Sequence, residues 1–206
     1  SVNRPMGVLG ATGVRIASFV ITGGAEGSDV SQIVIKDDVA TSSDSITLAD
    51  YFSNMRLMRG SAQLGQNVSS LTDTDATTYT FNLSPAALVG VGQTYAVDVY
   101  ADLLSTSGSS LAGVNSTDTD GLVIMDQVVA TGSVTSAATT DSSSDPKGQV
   151  GYIATNGSLR VTADADTPIG QALVLGSTDQ VFAKFKLAEE SNAEDILVKK
   201  FIVSNG

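Results

Sequence analysis

The 206-residue chain carries 22 acidic against 11 basic side chains, and its net charge of −11 would repel the phosphates of a nucleic acid. It has no cysteine and no histidine, which excludes disulfides and thiolate metal sites and leaves any acid–base chemistry to carboxylates or lysine. Only four glutamates and six lysines stand beside abundant Val, Thr, Ser, Gly and Asp, a balance that favours strands and turns over helices.

Residues 1–7 read as a short lead-in containing Pro5. Strands are expected over about 14–21 and 29–36, with Ala17, Phe19 and Ile21 inward in the first. In the second, Val30 is followed by Ile33 and Ile35, and that extra residue in the alternation marks a β-bulge. After a polar loop from Lys36 to Asp50, the run Ile46–Phe52 suits a helical turn. Met55–Arg59 reads as a strand stopped by Gly60. A polar connection through Asp73 and Asp75 leads to Thr78–Leu83, a cleanly alternating strand that Ser84-Pro85 is expected to end. Thr94–Asp102 alternates again with Tyr95, Val97 and Val99 inward, and Leu122–Val129 is a further strand. From Thr131 to Lys147 the composition shifts to Ser, Thr, Ala and Asp, as in a linker or a long surface loop. Beyond it lie Gln149–Thr155 and a strand carrying Leu159, Val161 and Ala163 on one face.

The chain then repeats itself. Val8–Val30 returns as Val174–Ile196 at a constant offset, with Val8/Val174, Leu9/Leu175, Gly10/Gly176, Thr12/Thr178, Ala17/Ala183, Phe19/Phe185 and Asp29/Asp195 identical. In the second copy Val181, Ala183, Phe185 and Leu187 alternate with Phe182, Lys184 and Lys186, the pattern of a strand with one buried face. A second strand over 195–203 is expected, its bulge marked by Lys199-Lys200. Each copy therefore reads as a strand pair of a half-buried sheet. The first copy is followed by the further strands a sandwich needs, whereas the second reads as only the opening of a related module. Its completion is expected from further chain or from a neighbouring subunit, because a small isolated sheet is marginal; the remaining alternative has both segments folding into one large sandwich.

The carboxylates fall mostly in turns, where Asp bonds its own backbone. Asn115, Asp118 and Asp120, ahead of Gly121, are the candidate calcium ligands: their spacing resembles the oxygen-rich start of a calcium loop, without the downstream bidentate glutamate of an EF-hand. Asp73/Asp75, Asp141/Asp145 and Asp164/Asp166 are weaker pairs of the same kind. Sequons occur at Asn67, Asn82, Asn115 and Asn156, and Asn82 should face solvent because it alternates with inward Phe81 and Leu83. No run reaches the roughly 18 apolar residues of a membrane span, and no signal peptide is visible. A first residue of Ser rather than Met is read as a removed signal or an excerpt, and both suit an exported protein.

The string Val174-Leu175-Gly176 … Ala183-Lys184-Phe185-Lys186-Leu187 … Glu194-Asp195-Ile196 resembles the repeats of large surface-layer-type and filament-type proteins of bacteria and archaea. Asn54-Met55-Arg56-Leu57, Leu64-Gly65, Tyr79-Thr80-Phe81 and Val129-Ala130-Thr131-Gly132 extend the resemblance. It implies an Ig-like β-sandwich in an exported, repetitive structural protein, with no catalytic residues to carry over. The expectation is thus an all-β chain: an Ig-like antiparallel β-sandwich over 1–148, and the first strands of a second related module over 149–206. Its expected role is a non-enzymatic structural subunit of an extracellular layer, sheath or filament, with itself as head-to-tail partner. The competing class is an adhesin stalk or carbohydrate-binding module, for which the chain, with no Trp and five Tyr, offers few aromatic platforms.

Overall fold

The computed structural model describes residues 4–38, 47–105, 122–141, 145–149, 151–154, 157–168, 170, 175–190 and 195–204. They divide into two compact units, Ser1–Ala154 and Thr155–Gly206. The strand at 151–154 therefore belongs with the first unit, beyond the boundary expected at 148.

In the first unit the described strands are β1 (Arg4–Val8), β2 (Val14–Thr22), β3 (Ser28–Asp37), β4 (Phe52–Arg59), β5 (Ala62–Val68), β6 (Thr78–Val89), β7 (Thr94–Leu103), β8 (Val123–Gly132), β9 (Ala138–Asp141) and β10 (Gly151–Ala154). A single 3-10 turn, Leu48–Asp50, precedes β4 where a helical turn was expected. The strands form two four-stranded antiparallel sheets, ordered β2-β7-β4-β5 and β6-β3-β8-β9, packed face to face as a β-sandwich. β1 and β10 add a short parallel pair.

The period-two pattern produces the core directly. Phe19, Ile33, Ile35, Phe81, Leu57 and Val97 are all buried between the sheets, and Tyr95, Val97 and Val99 point inward as their alternation predicts. The bulge after Val30 is present: the register of β3 shifts between Val30 and Gln32 against both of its neighbours. A second shift, between Arg15 and Ala17, lets Ile16 and Ala17 both be buried.

Several expectations are corrected. β2 and β3, read as partners in one sheet, lie in opposite sheets, because the loop between them carries the chain across the sandwich. The strand expected to stop at Ser84-Pro85 continues to Val89. β6 is an edge strand, so the missing N–H of Pro85 costs no ladder bond, and the residues around it bulge away from β3. β5 and β9 stand where a polar connection and a linker were expected, and β1 lies within the lead-in. At Gly65, φ is +69° and a side chain would run into the backbone of Asn82, so only glycine lets β5 approach β6 there.

The second unit departs furthest from expectation. β11 (Leu159–Ala163) pairs antiparallel with β12 (Phe185–Glu189), from Leu159↔Glu189 to Ala163↔Phe185. Residues 180–184 and 195–203, expected as strand, have no strand structure. No described residue of this unit is buried, and its apolar side chains, with the rings of Phe185 and Phe201 5.9 Å apart, face outward.

Candidate interaction surfaces

The surfaces most able to engage another molecule are an open edge on the first unit and the exposed apolar set on the second. At the open edge, the outer side of β2 has no neighbouring strand among the described residues. The segment 145–149 approaches it from the other sheet. Met125 N–H donates to the Pro146 carbonyl at 3.1 Å, and Gly148 N–H donates to the Val123 carbonyl at 2.8 Å. Lys147 pairs with Asp38 at 3.0 Å. Gln149 then reaches β2: Ser18 N–H donates to its Oε1 at 2.7 Å, and its Nε2 donates to the Ser18 carbonyl at 2.7 Å. One carboxamide thus fills the place of a paired strand residue. Gly148 fits against Ala17 only because it lacks a side chain.

Past Ser18, a cleft of about 650 Å³ lies among the described residues between the β2 end of one sheet and the β8–β9 side of the other. Its floor is apolar, with Val30, Val89, Met125, Val128 and Ala130, and Asp141 and Glu26 line it as well. Glu26 also fixes the β8–β9 turn, its carboxylate accepting from the Thr135 hydroxyl at 2.6 Å and from the N–H groups of Val134 and Thr135 at 3.0 Å. Those bonds, the Thr135 hydroxyl first, hold its pKa below the usual carboxylate value.

A second carboxylate is equally well held. Asp102 on β7 accepts from Gly13 N–H at 2.7 Å, from Asn54 Nδ2 at 2.8 Å and from Arg56 Nη1 at 3.3 Å. Burial alone would raise its pKa, but the bonds from Asn54, Gly13 and Arg56, with the Arg56 charge, lower it. The role is structural, because these contacts join the β1–β2 turn, β4 and β7 on the outer face of one sheet.

The proposed calcium ligands Asn115, Asp118 and Asp120 lie outside the described residues. Of the weaker pairs, Asp73 accepts from the Thr47 hydroxyl at 3.2 Å, and Asp164 accepts from Asp166 N–H at 2.9 Å, the bonding of a turn aspartate. Among the described residues no three acidic side chains converge as a metal site would need. Asn82 is exposed, as its alternation implies, and accepts from Gln32 at 2.9 Å. Among the described residues no helix is long and apolar enough to cross a membrane.

The fold and these surfaces define an all-β sandwich with an open edge and an attached, unburied two-stranded sheet. Set against protein-family models, curated proteins and solved structures, the chain matches none.

Proposed function

We propose that the chain is a structural subunit of an extracellular assembly, a surface layer, sheath or filament, that builds by association of its own β-sandwich modules. One observation carries this reading. Phe19 of the first repeat copy is 5 % exposed inside a sandwich, whereas its counterpart Phe185 is 47 % exposed. Val181, Phe182, Leu187, Phe201, Ile202 and Val203 of the same unit are exposed as well. A side chain of that size gains about 1.5–3 kcal/mol on burial, so the set is a strong drive toward a partner. The surroundings that bury such a sequence already exist in the first unit, which favours self-association. A heterologous contact between unlike units propagates into a fibre unless it closes into a ring. Light scattering of the full chain across a concentration series, with negative-stain microscopy, tests the reading. Growing mass with filaments, sheets or rings is expected, and a monomer at every concentration would refute it.

A further inference from the structure

We infer that the cleft beside the free edge of β2 receives residues 196–203 of a second copy of this chain as an added strand. The inference rests on the self-association proposed above and names its contact. Three observations lead to it.

The first is an acceptor. β2 is an edge strand whose outer backbone groups are met at Ser18 by the Gln149 carboxamide. With residues alternating along the strand, Val20 and Thr22 present their N–H and C=O groups to the same side as Ser18. Among the described residues no strand pairs with them on that side. Natural edges are usually blocked by a charge, a proline or a covering loop. Here Val20, 62 % exposed, is followed by Ile21, Thr22 and Gly23. Beside this rim lies the apolar cleft of about 650 Å³, room for several side chains of an incoming strand.

The second is a donor. The repeat runs to Ile196, which matches Val30 of β3, a strand paired on both sides by β6 and β8, and Val198, Phe201 and Val203 after it keep the apolar pattern of a bulged strand. This strand-patterned segment stands in the second unit without a ladder, and Ile202 is 73 % exposed. Acceptor and donor lack the same thing, a neighbouring strand.

The third is charge. The first 154 residues carry 15 acidic and 6 basic side chains, and the last 52 carry 7 and 5. Lys199 and Lys200 sit in the middle of the donor segment, and both are exposed. The acceptor cleft is lined by Asp141 and Glu26. Opposite charges steer the two surfaces together, and the acidic first units do not favour pairing with each other.

The test uses the full chain, which has no native cysteine. Val20→Cys is placed in one preparation, and cysteine is scanned through 197–203 in an isotopically heavy second preparation. After mixing and oxidation, a light–heavy disulfide concentrated at one or two donor positions is the expected result. In parallel, Val20→Lys and Ile202→Asp, both at exposed positions, should each weaken association at least about tenfold while leaving the melting profile of the chain unchanged. Association that persists in both variants, without light–heavy disulfides, would overturn the cleft as the contact and leave self-association standing. A disulfide formed only within a doubly substituted chain at monomer mass would overturn the second copy as occupant. A monomer throughout would remove both this inference and the reading on which it rests.

Discussion

The carboxamide of Gln149 holds both backbone groups of Ser18, accepting from its N–H and donating to its carbonyl, each at 2.7 Å. A side chain from beyond the last strand of one sheet thereby substitutes for a ladder partner on the edge of the other, and it holds the two sheets together along that side. Gln149→Ala removes both bonds and exposes one more residue of edge. Because the site is exposed, each bond contributes modestly, and a loss of about 1–2 kcal/mol is expected by denaturant unfolding. Gln149→Glu should fall between, keeping the acceptor and losing the donor. An unchanged midpoint in both variants would mean that the plug is incidental.

Phe19 sits where the alternation of β2 meets the sandwich core. Phe19→Ala should cost about 3–5 kcal/mol, as for other large side chains removed from a packed interior. Phe185→Ala in a dilute sample should cost under about 1 kcal/mol, because Phe185 is half exposed, with its ring beside that of Phe201. Equal losses at the two positions would show that the second copy buries its phenylalanine within one chain.

This contrast shows what was legible in the sequence and what was not. β2, β3 and β7 were readable because their core-facing side chains alternate over much of each strand, and the hitch after Val30 placed the bulge. β5, Ala62–Val68, was not, since it is an edge strand with exposed Gln63, Gln66 and Asn67 and little apolar alternation. Pro85 misled for a related reason: it ends a central strand but is tolerated at the edge that β6 forms. The second copy has a strand pattern as clear as the first, but over 195–203 it makes no strand, because pattern records what a segment needs and not whether a partner is beside it. The plug at Ser18 had no signal in the sequence at all, since a lone Gln in a polar stretch looks like any other.

Asp102 and Glu26 each favour the folded first unit more at neutral pH than in acid. Both have pKa values lowered in the folded state. Their stabilisation is therefore fully present above the ordinary carboxylate value of about 4 and is lost as pH falls through the lower folded values. Melting temperature should hold from neutral pH to about 5 and fall below about 4. Asp102→Asn removes a charge that Arg56 and two other donors satisfy, so it should cost about 1–3 kcal/mol at pH 7. It should cost much less at pH 2–3, where the wild-type carboxylate is itself being protonated. A pH-independent difference between the two proteins would assign the loss to shape instead of charge.

Hydrogen exchange separates the two units most directly. In the first unit, amides of β3 and β7 lie in strands paired on both sides above a buried core, so they open only with global unfolding and should be the slowest in the chain. In the second unit, β11 and β12 share a single ladder, and no described residue there is buried. A two-stranded sheet without a covered face is marginal in water, so amides of 185–189 should exchange many orders of magnitude faster in a dilute sample. Residues 196–203, which have no ladder, should show almost no protection at all. Raising the concentration should leave β3 and β7 unchanged and slow 196–203 together with Val20 and Thr22 on the β2 edge, because those backbone groups gain partners only when a second chain adds its strand. Slowing confined to 159–163 and 185–189 would instead place the contact on the ladder of the second unit. Protection of 196–203 that is already high in the dilute sample would mean that the segment is covered within its own chain.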